Sequence, residues 1–128
     1  VLSGRSMKNI VDMAAKLNAL TFPKDLIVDI DKANKLPPER VTILCTGSQG
    51  EPMSALSRMS QGTFDKVTIS ATDTVVISAT PIPGNERGVY NVVNNLYKLG
   101  ADVIYNPSDD IHVSGHACKE ELKLMLRS

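Results

Sequence analysis

The chain has 128 residues, 42% of them hydrophobic, which is enough for one domain with its own core. Its 14 basic and 14 acidic residues cancel, so it lacks the overall positive charge of a freestanding nucleic-acid-binding domain, although a local phosphate site is compatible with this balance. No apolar run approaches the roughly 18 residues of a membrane helix, and Cys45 and Cys118 form no CxxC pair. We therefore expect a cytoplasmic protein with reduced thiols and no membrane association.

The first third of the chain predicts a strand end, a helix and a weaker strand. Val1–Ser3 is typical of a strand end, and Ser6 suits the N-cap of a helix from about Met7 to Leu20. Helical spacing predicts one buried face on this helix, formed by Ile10, Val11, Met13, Ala14, Leu17 and Leu20. Residues 26–30 favour a short strand, and the polar residues 32–40 predict a loop.

The middle of the chain predicts, in order, a buried strand, a short helix, an edge strand and a second buried strand. Val41–Thr46 is β-branched and nearly uncharged, which predicts a buried strand. Residues 47–52 are rich in glycine and polar side chains and lead to a helix over about 53–60. Residues 67–69 favour an edge strand, and residues 74–79 predict another buried central strand.

The last third continues the alternation of strands and helices. A turn at 81–85 leads to a helix over about 86–99, which Gly100 is predicted to cap. The expected buried face of this helix comprises Val89, Val92, Val93 and Leu96. Residues 102–105 predict a third strong strand and residues 117–127 a final helix. This order predicts an α/β fold, with one parallel sheet covered by helices on both faces, in a single domain over residues 1–128. The non-Met start and the helical end suggest a part of a longer protein.

Four polar, glycine-containing segments follow the predicted strands: residues 3–6, 46–52, 78–86 and 112–116. Ligands of open parallel α/β sheets bind beyond the carboxyl ends of the strands. If the sheet is parallel, all four segments meet along one edge. We therefore expect the binding site at this edge.

Segment 46–52 has two interpretations. Gly47 and Gly50 carry no Cβ, so the backbone, Ser48 and Gln49 could approach a phosphate or ribose closely. An ordinary strand-to-helix turn explains the same residues equally well. The segment is neither a P-loop nor a dinucleotide fingerprint, because GK[ST] and GxGxxG are absent. Arg5 lies beside the predicted edge and is a candidate contact for backbone phosphates.

Both histidines of the chain, His112 and His116, lie in one segment four residues apart. Zinc would need both on one helix face or further ligands nearby, whereas Ser114-Gly115 interrupts a helix, so we expect no complete metal site here. Two alternatives remain: imidazoles that are merely hydrogen-bonded in a loop, or groups that bind a phosphate or transfer a proton. We favour the phosphate of a nucleic-acid backbone.

Taken together, the four segments closely resemble bacterial ribonuclease J, a family of metallo-β-lactamase-fold nucleases with an inserted β-CASP domain. The resemblance rests on Leu2–Met7, on Thr46–Pro52 with Ala55–Met59, on Ser78–Glu86 and on His112–His116. It spans nearly the whole chain and implies a Rossmann-like β-CASP domain that lacks the metallo-β-lactamase domain. In such enzymes the two domains close over RNA in the cleft between them.

The resemblance also implies roles for individual residues and for a metal. His116 matches a catalytic histidine near the scissile phosphate, and the residues expected to hold the RNA 5′-terminal nucleotide and its phosphate are His112, Val113, Ser114 and Gly115. The family uses two zinc ions and cuts RNA from the 5′ end or internally, in rRNA processing and mRNA decay. Its HxHxDH zinc motif is absent here, so we expect this chain alone to bind no zinc and to be inactive.

Other readings remain open. The chain could be a module that binds a nucleotide or a phosphorylated metabolite, or an assembly domain that packs against the missing half of its parent. Within the family, the parent could form a homo-oligomer or act as a low-activity paralogue subunit.

Overall fold

A computed structural model describes residues 1–105 of the chain, so the predicted helix at 117–127 and the histidine segment lie outside the described residues. The elements in chain order are β1 (Leu2–Ser3), α1 (Arg5–Lys16), α2 (Ile30–Ala33), a 3₁₀ turn (Pro38–Arg40), β2 (Leu44–Cys45), α3 (Ala55–Ser60), β3 (Thr74–Val76), α4 (Glu86–Lys98) and β4 (Asp102–Ile104). Strands and helices alternate as predicted, and the α/β class is confirmed. None of the helices within residues 1–105 is long and apolar enough to cross a membrane.

All strand pairing in the described part of the chain is parallel. β1 pairs with β2, with Leu2 opposite Leu44. β3 pairs with β4 from Thr74 opposite Asp102 to Val76 opposite Ile104. Over residues 1–105 these pairs form two separate two-stranded sheets, where a single sheet was predicted. Parallel strands need a crossover connection. Residues 4–43, with α1 and α2, supply it between β1 and β2, and residues 77–101, with α4, supply it between β3 and β4.

The predicted strand at 41–46 is much shorter in the structure. Only Leu44 and Cys45 pair, because their partner β1 offers two residues. Leu44 is 52% exposed, so the expectation of a fully buried strand is wrong at this position. A β-branched run therefore predicted the location of the strand correctly, but its length is set by the partner.

The hydrophobic core lies between α3, α4 and the β3–β4 pair. Its buried members are Ala55, Leu56, Met59, Ile69, Ile77, Val89, Val92, Val93, Leu96, Ala101 and Val103. The predicted face of α4 is thus confirmed, and Leu96 has no exposed surface. The predicted cap at Gly100 is also confirmed: its φ is +81° and its N–H donates to the Tyr97 carbonyl at 2.9 Å. A left-handed residue after the last helical turn is the position that favours glycine.

Helix α1 does not bury the predicted apolar face. It begins after Gly4 instead of Ser6 and ends at Lys16, and Val11 is its only buried residue. Ile10 is 63% exposed and Leu17, just beyond the helix, is 73% exposed. The helical periodicity is correct, but within residues 1–105 no element packs over this face, because α1 contacts chiefly β1.

Residues 26–30 and 67–69 do not form the predicted strands. Ile30 begins α2, with Asp29 at the N-cap position and Asp31 in the first turn. Acidic residues at a helix start are favourable, so Asp29 and Asp31, which interrupt the apolar pattern, mark a helix start. Residues 67–69 form no strand pairing within residues 1–105, although Ile69 is buried in the core.

Candidate functional site

Three of the four predicted loops meet in the structure. Because β1 and β2 are parallel neighbours, residues 3–6 and 46–52 leave from the same end, and a Cβ at Gly4 would lie 3.7 Å from the Thr46 hydroxyl oxygen. Residues 46–52 in turn contact residues 78–86 through hydrogen bonds of the Gln49 side chain. We call the surface formed by residues 3–6, 46–52 and 78–86 the loop edge. The fourth segment, 112–116, lies outside the described residues.

Gln49 joins two loops of the loop edge. Its Nε2 donates to the Thr80 carbonyl oxygen at 3.0 Å. Its Oε1 accepts from the Ile82 N–H at 2.8 Å and from the Asn85 Nδ2 at 3.3 Å. The two backbone partners fix the orientation of the amide, because a flipped amide would place oxygen against the Thr80 carbonyl and nitrogen against the Ile82 N–H.

Gly50 brings segment 46–52 into backbone contact with α4. A Cβ at Gly50 would lie within 2.5 Å of the Gly88 carbonyl oxygen and of the Val89 nitrogen. The φ of Gly50 is +72°, a conformation that glycine adopts without steric cost. Gly88 faces the same contact, since its own Cβ would lie 3.0 Å from the Gly50 carbonyl oxygen. This pair of glycines lets a loop pack directly on a helix.

Gly47 makes a similar approach to the start of α3. A Cβ at Gly47 would lie 2.8 Å from the Leu56 Cβ, and the Leu56 N–H donates to the Thr46 carbonyl at 3.1 Å. Ser54 caps this helix by accepting from the Ser57 N–H at 3.3 Å and donating to the Glu51 carbonyl at 2.7 Å. Contacts within the protein therefore account for both glycines of the segment. A phosphate contact by Gly47, Ser48, Gln49 or Gly50 stays a prediction.

The charges at the loop edge differ between the start of α1 and the start of α4. Arg5 is exposed at the first position of α1, which starts at Gly4 with no side-chain cap and no acidic residue in its first turn. The amides and the macrodipole at such a start favour an anion. At the start of α4, by contrast, the Glu86 carboxylate accepts from the Gly84 N–H at 2.8 Å. A phosphate would therefore meet attraction at α1 and a resident negative charge at α4.

Two titratable groups near the strand ends are held neutral. Burial raises the pKa of the half-buried Cys45 thiol, which lies at the end of β2. Burial, and then the negative charges of ionised Tyr90 and of Glu86, raise the pKa of Tyr105 after β4. At neutral pH Cys45 is a thiol and Tyr105 a phenol, so neither supplies an anionic nucleophile or base.

The described residues do not form a metal site. Within residues 1–105 there is no group of three or more His, Cys, Asp and Glu side chains arranged to hold an ion. Zinc sites in proteins need at least three such ligands, so this part of the chain does not fit the two zinc ions that the resemblance implies. The predicted roles of His116, and of His112, Val113, Ser114 and Gly115, concern residues outside the described part and stay predictions.

Sequence reasoning missed the partners of Gln49 and of Gly50. Nothing in the sequence pairs Gln49 with Thr80, Ile82 or Asn85, because contacts between loops leave no periodic pattern. Gly88 did carry a signal, since a glycine inside a helix costs stability and usually has a packing reason. Here that reason is the backbone of Gly50.

Comparison with known proteins agrees with the resemblance. The family model for the β-CASP domain of ribonuclease J matches residues 1–96. A ribonuclease J of Synechocystis is 47% identical over 123 residues, covering 96% of this chain and 19% of that protein. The ribonuclease J of Thermus thermophilus is 46% identical over 125 residues (98% and 22%), and that of Mycolicibacterium smegmatis 45% over 119 residues (93% and 21%). The chain thus spans about a fifth of the length of these relatives. It belongs to the ribonuclease J β-CASP domain family.

Proposed function

We propose that this chain is the β-CASP part of a ribonuclease J and that it binds RNA at the loop edge. The relatives named ribonuclease J are about five times longer than the part this chain matches. This length leaves room for a metallo-β-lactamase domain, over which the β-CASP part would close. The observation that carries the proposal is the convergence of residues 3–6, 46–52 and 78–86 at the end of parallel strands, the position where open α/β sheets bind ligands.

The ligand group we assign to the loop edge is the 5′-terminal phosphate and nucleotide of RNA. The uncapped start of α1 offers backbone N–H groups, and the Arg5 side chain is exposed beside them. Phosphate accepts charge-assisted hydrogen bonds from both kinds of donor. Such contacts to the backbone position a strand without reading its sequence, which suits a general RNA-processing enzyme. Residues 112–116 would complete the phosphate site.

The chemical step belongs to the proposed parent enzyme. There His116 would donate a hydrogen bond to a phosphate oxygen or assist a proton transfer. Residues 1–105 provide no ligand cluster for zinc, so other residues of the parent would hold the metal. The wider proposal is a zinc-dependent 5′ to 3′ exonuclease and endonuclease in the cytoplasm, acting in RNA maturation and decay as a homo-oligomer or with a paralogue.

Binding of short RNA tests the central part of this proposal. The full-length protein is titrated with two oligoribonucleotides that differ only in a 5′-monophosphate or a 5′-hydroxyl group. We expect tighter binding of the phosphorylated RNA and a loss of at least about tenfold in its affinity on Arg5→Ala, since a hydrogen bond to a charged group contributes about 1.5–3 kcal/mol. Arg40→Ala, an exposed arginine of the 3₁₀ turn outside the loop edge, is the matched control. Equal affinities for the two RNAs would reject the 5′-phosphate assignment.

A role in assembly is a second candidate function, favoured by the uncovered face near α1. Ile10, Met13 and Leu17 are exposed there. A largely apolar cleft of about 510 Å³ lies nearby, lined by Val11, Leu26 and Leu44 among others. Exposed apolar patches of this kind mark interaction surfaces. If this face packs against another part of the parent, amides of residues 10–17 will exchange hydrogen more slowly in the full-length protein than in the 128-residue chain. Equal exchange would remove this candidate.

A further inference from the structure

We propose that Gln49 is a positioning residue, whose side-chain amide holds residues 78–86 against residues 46–52 so that RNA meets a preformed loop edge. This inference rests on the proposed function, because it concerns how the same surface is kept ready for RNA. It gives Gln49 a different role from the direct phosphate contact that the sequence suggested.

The hydrogen bonds of Gln49 connect residues 46–52 to residues 80–85. Within residues 1–105, each hydrogen bond from residues 80–85 to a separate segment of the chain ends on the Gln49 side chain, at Thr80, Ile82 and Asn85. The other hydrogen bonds of residues 80–85 are local, such as that from the Asn85 N–H to the Ile82 carbonyl. Without Gln49, the loop would be attached to the rest of the loop edge mainly through its two ends.

The composition of the loop increases its dependence on Gln49. Pro81 and Pro83 have no N–H, so residues 80–84 have few backbone donors with which to make other contacts. The Gly84 N–H is already engaged by Glu86. The Ile82 N–H is therefore one of the few backbone donors of the loop. It donates to Gln49 Oε1 at 2.8 Å, the shortest of the three hydrogen bonds of this side chain.

The same geometry limits what the Gln49 amide can offer to a phosphate directly. A phosphate oxygen only accepts hydrogen bonds, so it could use the Nε2 group and not Oε1. Oε1 already accepts two hydrogen bonds, which is the full capacity of an amide oxygen. Nε2 already donates to Thr80. A phosphate could therefore use only the second N–H of Nε2, beside the one that donates to Thr80.

A positioned loop matters for binding because ordering a mobile segment on association weakens affinity. Residues 78–86 lead directly into α4 and carry polar groups of the loop edge, among them the Asn85 amide. If the loop is held before RNA arrives, these groups are already in place. If it is released, RNA binding must order it, and the affinity falls while the distant core is unaffected.

The test combines hydrogen exchange and RNA binding in the full-length protein. Gln49→Met keeps the length of the side chain and removes all three hydrogen bonds, whereas Asn85→Ala removes only the longest one. Gln61→Ala, an exposed glutamine at the end of α3, is the matched control. Peptides covering residues 78–86 are followed by hydrogen–deuterium exchange without RNA, and affinity is measured with a 5′-monophosphorylated oligoribonucleotide.

We expect Gln49→Met to speed exchange in residues 78–86 by about tenfold and to weaken RNA binding by roughly threefold to tenfold, the size of one or two lost hydrogen bonds. Its melting temperature should stay close to that of the wild type, because two of these three hydrogen bonds are exposed. Asn85→Ala should show a smaller change in both readouts, and Gln61→Ala none.

Each contrary result has a distinct meaning. Unchanged exchange in Gln49→Met overturns the positioning role, and if affinity nevertheless falls, Gln49 contacts RNA itself. Faster exchange with unchanged affinity also overturns the inference, because the loop would then not need to be held for RNA. If the wild type binds no RNA, the proposed function fails, and the exchange data alone decide whether Gln49 holds the loop.

Discussion

Helices α1 and α4 are of nearly equal length, 12 and 13 residues, and both carry apolar residues at helical spacing. They differ in what covers the apolar face. Val89 and Leu96 of α4 are 1% and 0% exposed against α3 and the β3–β4 pair, whereas Ile10 of α1 is largely exposed. Periodicity predicts which face of a helix is apolar, but the neighbours of the helix decide whether that face contributes to stability. The region from residue 55 to 105 therefore forms the stable centre, and α1 with β1 and β2 adds less to it.

The largest expected effect is in the core of the α4 region. Leu96→Ala removes a fully buried side chain and should lower the free energy of unfolding by about 2–5 kcal/mol, because it leaves a cavity as well as losing apolar burial. Leu17→Ala, at an exposed position beside α1, is the matched substitution and should change it by less than about 0.5 kcal/mol. Urea unfolding of the 128-residue chain measures both. Similar losses for the two variants would break the comparison.

The next largest loss of stability is expected where the loop after β2 packs on α4, at the contact between Gly50 and Gly88. Gly50 and Gly62 have nearly the same φ, +72° and +73°, but a Cβ at Gly62 meets nothing within 4 Å. Gly62→Ala should therefore cost only the left-handed strain of about 1 kcal/mol, whereas Gly50→Ala should cost at least about 2 kcal/mol more from overlap with the Gly88 backbone. Thermal and urea unfolding give the difference. Equal costs would mean that the Gly50 contact with α4 is not formed.

A smaller difference in stability is expected between substitutions at the starts of α3 and α1. Ser54→Ala removes the side-chain cap of α3 and should cost about 1 kcal/mol of stability. Ser6→Ala should cost less than about 0.5 kcal/mol, because Ser6 lies inside α1 and the cap position there belongs to Gly4. The two variants are compared by urea unfolding. A larger loss for Ser6→Ala would restore Ser6 as the helix cap.

The smallest expected effect depends on pH. Burial raises the pKa of Cys45 above its ordinary value of 9.0 in the folded chain. The unfolded thiol therefore loses its proton first, so its contribution to stability is complete below pH 9 and declines as the pH rises further. The Cys45 contribution to this decline should be below about 1 kcal/mol. Cys45→Ala should lose that contribution and keep only the decline that comes from Tyr105. The free energy of unfolding, determined at pH 7, 9 and 10 for the wild type and the variant, measures this contribution. An identical pH dependence in wild type and variant would contradict the burial effect.

The parts of the fold that could be predicted from sequence are those governed by local pattern and immediate packing. The buried face of α4, the Gly100 cap and the α/β alternation followed from spacing and residue type. The uncovered face of α1, the short pairing of β2 and the helix at Ile30–Ala33 did not, because each depends on a partner elsewhere in the chain or on competition between a strand and a helix start. For the site, the sequence predicted that residues 3–6, 46–52 and 78–86 meet, while the fourth predicted segment, 112–116, lies outside the described residues. It could not predict that Gln49 joins two of them, since that contact depends on distances between loops.

The most direct test of the central claim is the location of RNA binding on the protein. Hydrogen–deuterium exchange is measured on the full-length protein with and without a 5′-monophosphorylated oligoribonucleotide. We predict slower exchange on RNA binding in residues 3–6, 46–52 and 78–86, and no change in the exposed part of α1 around Ile10 and Met13. Protection confined to residues outside the loop edge, with these three segments unchanged, would contradict the account.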